Sequence, residues 1–79
     1  FRSMKELLEY IAKSLVDYPD DVSVTEIEGD TSTVLELRVN DADMGKVIGK
    51  QGRIARSIRS VIKAAAGKDR RRVVVEIVQ

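Results

Sequence analysis

The 79-residue sequence has no cysteine, no histidine and no tryptophan, a single proline, and only three aromatic residues, Phe1, Tyr10 and Tyr18. Lacking thiols, it can form no disulfide and offers no cysteine nucleophile. Lacking imidazole, it has no histidine general base, and the usual ligands of a zinc site are missing. Most catalytic repertoires are therefore absent, and the expectation is a non-enzymatic protein without metal, cofactor or small-molecule substrate. No apolar run approaches the roughly 20 residues needed to cross a bilayer, and no signal-peptide pattern opens the chain. The sequence thus reads as soluble and cytoplasmic, with no membrane partner. Met4 reads as a natural start, which makes Phe1 to Ser3 an added or unstructured leader ahead of a domain over 4–79. A chain of this length buries only about 60% of its unfolded surface, so one core must serve the whole molecule and a two-domain enzyme is excluded.

What is present is charge, and its placement is informative. Residues 1–43 carry 4 lysines and arginines against 11 aspartates and glutamates, a net of −7, whereas residues 44–72 carry 10 against Asp69 alone, a net of +9. Glu76 returns the total to +1. An evenly solvated surface interleaves the signs; blocks make one region an anion attractor although the average is near neutral.

Met4, Leu7, Leu8, Ile11 and Leu15 recur at three- and four-residue steps, which predicts a first helix over about 4–18, with Ser3 and Glu6 as a capping box and Pro19 as the stop. Val22 and Val24 alternate with polar neighbours while Ile27 falls out of phase, suggesting a short strand with an irregularity. Gly29-Asp30 reads as a tight hairpin connection with glycine at the first central position, leading into a strand marked by Leu35, Leu37 and Val39. Asn40 or Asp41 can cap a short helix of about 42–48 that ends at Gly49. A third helix follows almost at once. Ile54, Ile58, Val61, Ile62 and Ala65 cluster on one of its sides, and Arg56, Arg59 and Lys63 project from the other. Gly67 ends it, Lys68 to Arg72 form a basic loop, and Val73, Val75 and Ile77 mark a closing strand. The acids between residues 17 and 43 fall on turns, caps and strand edges without metal-type or glycosidase-type spacing, and are expected to be solvated.

The chemistry is concentrated in Val47-Ile48-Gly49-Lys50-Gln51-Gly52-Arg53-Ile54, where two helices meet through Gly-Lys-Gln-Gly. Glycines permit backbone conformations costly to other residues and hold no side chain between ligand and main chain. The amides that open the following helix carry partial positive charge, and Lys50 and Arg53 add full charges there. Such a seat suits phosphate. A helix-to-helix turn alone would account for Gly49 as a C-cap but not for Gly52 and both cations.

This segment, within the order α-β-β-α-α-β, resembles the KH domain, in which an Ile-Gly-x-x-Gly loop between two helices clamps about four nucleotides. The order is similar to the type II variant, an α+β fold with a three-stranded sheet and three helices packed on one face. Over nearly the whole chain, and most specifically over Asp43-Met44-Gly45-Lys46-Val47-Ile48-Gly49-Lys50-Gln51-Gly52-Arg53-Ile54-Ala55, the sequence resembles the small stand-alone bacterial KH proteins of the KhpA family. The resemblance implies non-catalytic binding of single-stranded RNA, with association as a homodimer or with a larger KH protein of the KhpB type. It implies backbone contacts from Gly49, Lys50, Gln51, Gly52 and Arg53, with Ile48, Arg56, Arg71 and Arg72 along the strand's path. Many KH domains carry a large aliphatic residue three positions after the second loop glycine; here that position is Ala55, with Ile54 just before it, so a shallower groove floor is expected.

The groove expected from this likeness lies between the second and third helices and the closing strand with its basic loop. Val47, Ile48 and Ile54 are candidates to support bases, although helical periodicity equally makes them core. With all three aromatics near the first helix, no sheet offers the stacking platform of an RRM or OB fold. A P-loop is excluded, because Gly45 and Gly49 are only four apart and Lys50 precedes Gln51 rather than Ser or Thr. The competing reading is an interaction module that dimerises through the apolar stripe of the third helix.

Overall fold

The computed structural model describes residues 1–67 and 72–78. The elements run α1 (Met4–Leu15), β1 (Ser23–Glu28), β2 (Ser32–Arg38), α2 (Met44–Ile48), α3 (Arg53–Ala66) and β3 (Arg72–Val78), with short 3₁₀ turns at Pro19–Asp21, Asp41–Asp43 and Lys50–Gly52. β1 and β2 pair antiparallel, from Ser23 opposite Arg38 to Glu28 opposite Thr33. β2 and β3 pair in parallel, from Ser32 opposite Arg72 to Arg38 opposite Val78, so the sheet order is β1-β2-β3. A parallel neighbour needs a long crossover, and α2 and α3 are that crossover.

The register places Val24, Leu35, Leu37 and Val75 on one face of the sheet, because side chains alternate along each strand. Leu8 and Ala12 of α1, Val47 of α2, and Ile58 and Ile62 of α3 pack onto that face in a single buried cluster. Leu8, Leu35 and Leu37 are fully buried, and each such side chain stabilises the fold by about 1.5 to 3 kcal/mol. The expected two-layer α+β architecture is present, with all three helices on one side.

Local details depart from the sequence pattern in five places. β1 has no irregularity: it pairs without interruption, and Ile27 simply lies on the other face, opposite Val34 and 47% exposed. The β1-β2 link turns at Asp30-Thr31 rather than Gly29-Asp30, since the Gly29 amide donates to the Ser32 carbonyl at 2.8 Å, making those two residues the flanking pair. On α3 the buried side is Ala55, Ile58 and Ile62; Val61 is 48% exposed and Ala65 is exposed, because only a narrow stripe of this helix reaches the sheet. At the start of α1 the Ser3 hydroxyl accepts from the Glu6 amide at 3.2 Å, but the Glu6 carboxylate accepts from Arg2 at 3.4 Å, one residue ahead of a capping box.

The fifth departure positions the rest. α1 ends at Leu15, three residues before the expected stop, and Val16 is extended. The amides of Asp17 and Tyr18, which would have continued the helix, instead donate to the two carboxylate oxygens of Asp43 at 3.1 and 3.0 Å. Asp43 is fully buried in the turn ahead of α2, contrary to the expected solvation. Lys46, one turn later, donates to Asp43 Oδ1 at 3.3 Å and to Asp17 Oδ2 at 2.6 Å. One carboxylate thus joins the end of α1 to the beginning of α2.

Burial alone would push the Asp43 carboxyl up, but the Asp17 and Tyr18 amides and the Lys46 ammonium outweigh it and hold the group below its ordinary value of 3.8. Lys46 is held above its ordinary 10.5, first by its hydrogen bond to Asp17 and, against burial, by Asp43 as well. A carboxyl lowered in the folded state contributes stability above its unfolded value and loses it as pH falls through the lowered one. Thermal stability is therefore expected to decline below about pH 4. Asp43→Asn, which keeps the shape but not the charge, should flatten that decline and lower the neutral-pH midpoint by on the order of 10 °C. Circular dichroism melts between pH 2 and 7 check both outcomes; an unchanged pH profile in the variant would contradict the assignment.

Candidate functional site

The route to the loop begins at Asn40, whose side chain accepts from the Ala42 amide at 2.9 Å and opens the turn before α2; of the two candidate caps, this one is used. α2 is only five residues long and ends at Gly49, whose amide donates to the Gly45 carbonyl at 2.9 Å. Gly49 has φ 75° and ψ 173°, a region essentially closed to residues with a Cβ. A methyl group there would also lie 2.6 Å from Cγ1 of Ile54. The chain then turns sharply: Gln51 takes the left-handed conformation at φ 59°, ψ 26°, and Gly52 follows it at φ 72°, ψ 16°.

This geometry determines which amides stay available. The Gly52 amide is used within the turn, by the Gly49 carbonyl at 3.1 Å, and that of Arg53 by the Lys50 carbonyl. The amides of Lys50 and Gln51 find no partner among the described residues. They stand on exposed residues at the start of a 14-residue helix, where the backbone dipoles favour an anion. A left-handed non-glycine residue such as Gln51 is costly and persists only where neighbours hold it. The holder is Arg56, whose guanidinium donates to the Gln51 carbonyl at 3.0 Å, while Arg53 reaches the Gln51 side chain at 3.4 Å.

The expected site residues therefore separate. Gly49, Lys50, Gln51, Gly52 and Arg53 form one continuous turn, and Arg56 braces it from one turn into α3. Ile48 and Ile54 are half-buried against the core beneath the turn. Val47 is fully buried and is core, and Ala55 is buried as well. Ile54 lies against Gly49, so the floor under the loop is supplied by the residue preceding Ala55. Arg72 is elsewhere: its amide donates to Thr31 at the hairpin end of the sheet, near the far end of α3, about 20 Å along that helix from the loop. Arg71, with Lys68 and Arg70, lies outside the described residues.

Two further residues escaped the sequence reading. Arg59, noted only as part of a cationic helix face, donates through Nε to the Val75 carbonyl at 3.3 Å, so it closes the gap between α3 and β3. Lys46 has both acidic partners described above and is a structural cation. Its three-residue spacing after Asp43 was the only signal for it, and that spacing does not reveal the partner on α1.

A mixed three-stranded sheet under three helices, in the order α-β-β-α-α-β with an Ile-Gly-x-x-Gly turn between the second and third helices, defines a KH domain of the type II order. Solved structures share this fold: Aquifex aeolicus Era bound to GDP and aluminium fluoride superposes with a TM-score of 0.64 at 20% identity over 95% of this chain and 30% of that one. Era in complex with MgGDPNP and a segment of 16S ribosomal RNA gives 0.59 at 24% identity, over 94% of this chain and 28% of the other. At such identities the likeness is one of fold, and the chain spans less than a third of Era's length. The family described as KhpA/KhpB, KH domain, matches residues 5–77, and the chain belongs to it. Relatives named RNA-binding protein KhpA are 68% identical in Clostridium acetobutylicum, over 95% of this chain and all of that one, and 53% identical in Aquifex aeolicus, over 98% of both.

The two loop glycines should differ in what they tolerate. Gly52→Ala meets no atom within 4 Å and incurs only the left-handed backbone cost, about 1 to 2 kcal/mol. Gly49→Ala adds a collision with Ile54 to a more restricted conformation, and should be the more destabilising by a further 1 to 3 kcal/mol, roughly. Urea titrations of both variants measure the order; equal losses would contradict it.

Proposed function

We propose that this protein binds single-stranded RNA without catalysis, holding the sugar-phosphate backbone on the turn from Gly49 to Gly52. The observation that carries this reading is the pair of exposed amides at Lys50 and Gln51, presented by a glycine-flanked left-handed turn at the start of α3. Lys50 and Arg53 place full positive charge beside them. Membership in a family whose relatives are named RNA-binding proteins supports the ligand class. In this mechanism a phosphate docks at the helix opening, Lys50 neutralises it, and Arg56 keeps Gln51 in the left-handed conformation of the turn. Bases would then lie over Ile48 and Ile54 toward β3, with phosphate contacts positioning the strand and the apolar floor tolerating many sequences. Arg72 would meet RNA only on a longer strand that continues past the groove.

Lys50→Asp with Gln51→Asp should leave the melting curve nearly unchanged, since both residues are exposed, and weaken RNA binding by about tenfold or more through phosphate repulsion. A gel-shift titration with a short unstructured RNA measures it; parent-like affinity in the folded double variant would overturn the loop mechanism. Affinity of the parent should also fall steeply with salt as counterions are released.

A groove for about four nucleotides gives little contact area, so function is proposed to need a second KH module, either another copy or a KhpB-type partner. Val61 supports this: 48% exposed, it is a large apolar residue of α3 that flanks the buried Ala55, Ile58 and Ile62 stripe without being covered. Val61→Glu should shift the sedimentation coefficient of the isolated protein to that of a monomer without lowering its melting midpoint. A parent that is strictly monomeric over a wide concentration range would defeat the homodimer version.

A further inference from the structure

At the end of α3 opposite the glycine turn, the helix-facing side of the sheet is left open. The inward phase of β1 begins with Val24 but continues as Glu26, opposite Leu35, and Glu28, opposite Thr33. These four residues, with Ala65 and Ala66 from the last turn of α3, border a cavity of about 350 Å³ that Met4 and Val73 help to close. That volume falls in the range of small-ligand sites, about 300 to 1,000 Å³. Arg2 and Ser3 also line it.

Two independent features give this cavity a chemical preference. Neither glutamate is paired with a cation among the described residues, where the ion pairs are those of Lys46. Separately, Thr33 is only 7% exposed, and its hydroxyl has no hydrogen-bond partner among the described residues although its oxygen remains accessible on the cavity wall. Glu26 and Glu28 are exposed, and among the described residues neither they nor the Thr33 hydroxyl has a partner, so all three are free to accept from a donor that enters the cavity. Leu35, Val73, Ala65 and Ala66 supply an apolar lining between them.

We propose that this cleft binds a linear aliphatic diamine or polyamine. Glu26 and Glu28 are two residues apart on one strand face, a separation of roughly 6 to 7 Å. A diamine with four carbons between its nitrogens holds two ammonium groups at about that spacing. Each ammonium would meet one carboxylate, a third acceptor is available at Thr33, and the methylenes lie on the alanine and valine lining. Phosphate is disfavoured by the same glutamates, so this site and the glycine turn take ligands of opposite charge at opposite ends of α3. The inference does not rest on the RNA reading.

The test uses the full chain, free of RNA, titrated at low salt with putrescine and with spermidine while amide resonances are followed by NMR. Saturable shifts are expected at Glu26, Glu28, Thr33 and Ala65, and none at Lys50 or Gln51. Glu26→Gln with Glu28→Gln should abolish them, and Thr33→Val, which preserves shape, should weaken binding by about two- to tenfold. The Lys50→Asp, Gln51→Asp variant should bind the amines as the parent does, which separates this site from the RNA mechanism. Shifts reproduced by magnesium chloride at equal ionic strength, or undiminished in the folded double-glutamine variant, would overturn the proposal.

Discussion

The buried carboxylate of Asp43 is the constraint on which the arrangement of this domain depends. Its two oxygens take the amides that follow α1, and Asp43 itself stands at the start of α2 with Lys46 bonded to it from within that helix, so the first helix and the helix leading to the glycine turn are joined at one point. A buried charge is costly unless its partners satisfy it, and here two amides and an ammonium do so. With only five residues, α2 has little packing of its own to set its direction. Its start is held by Asp43, its middle by the burial of Val47, and its end by the contact between Gly49 and Ile54. The turn that follows has no freedom to face elsewhere.

Charge segregation along the chain becomes spatial segregation in the fold, but not in the way the counts alone imply. Of the basic block, Lys46 is consumed structurally, Arg56 holds a carbonyl within the turn and Arg59 bonds β3. The cations left for a ligand at the turn are chiefly Lys50 and Arg53, and the exposed amides between them matter correspondingly more. Of the acidic block, Asp17 and Asp43 serve the junction between helices, whereas Glu26 and Glu28 line the far cavity. A net charge of +9 over residues 44–72 thus describes the neighbourhood better than it counts the contacts.

Strain at Gln51 fits the same economy of parts. The position is unfavourable for a side chain, yet the conformation is needed to turn two amides away from the helix, and Arg56 offsets the cost from within α3. Glycine is required at its two neighbours for different reasons, close packing and a forbidden region at Gly49, backbone handedness alone at Gly52.

Much of this was legible in the residues themselves. Periodicity of 3.6 in the first and third helices, alternation in β2 and β3, and glycines at helix ends are local signals, because each reflects what one segment must bury or how one turn must bend. The Gly-Lys-Gln-Gly turn was legible for the same reason, its conformation being set by the residues within it. Tertiary contact decided what local preference could not. α1 stops at Leu15 because the Asp43 carboxylate takes the Asp17 amide from 26 residues away, and Val61 and Ala65 are exposed because the sheet is too narrow to cover the whole stripe. The separation of Arg72 from the turn, and the pairing of Glu26 and Glu28 with the Thr33 hydroxyl around one cavity, likewise follow from strand register and helix length. These are distances between segments, which no single segment encodes.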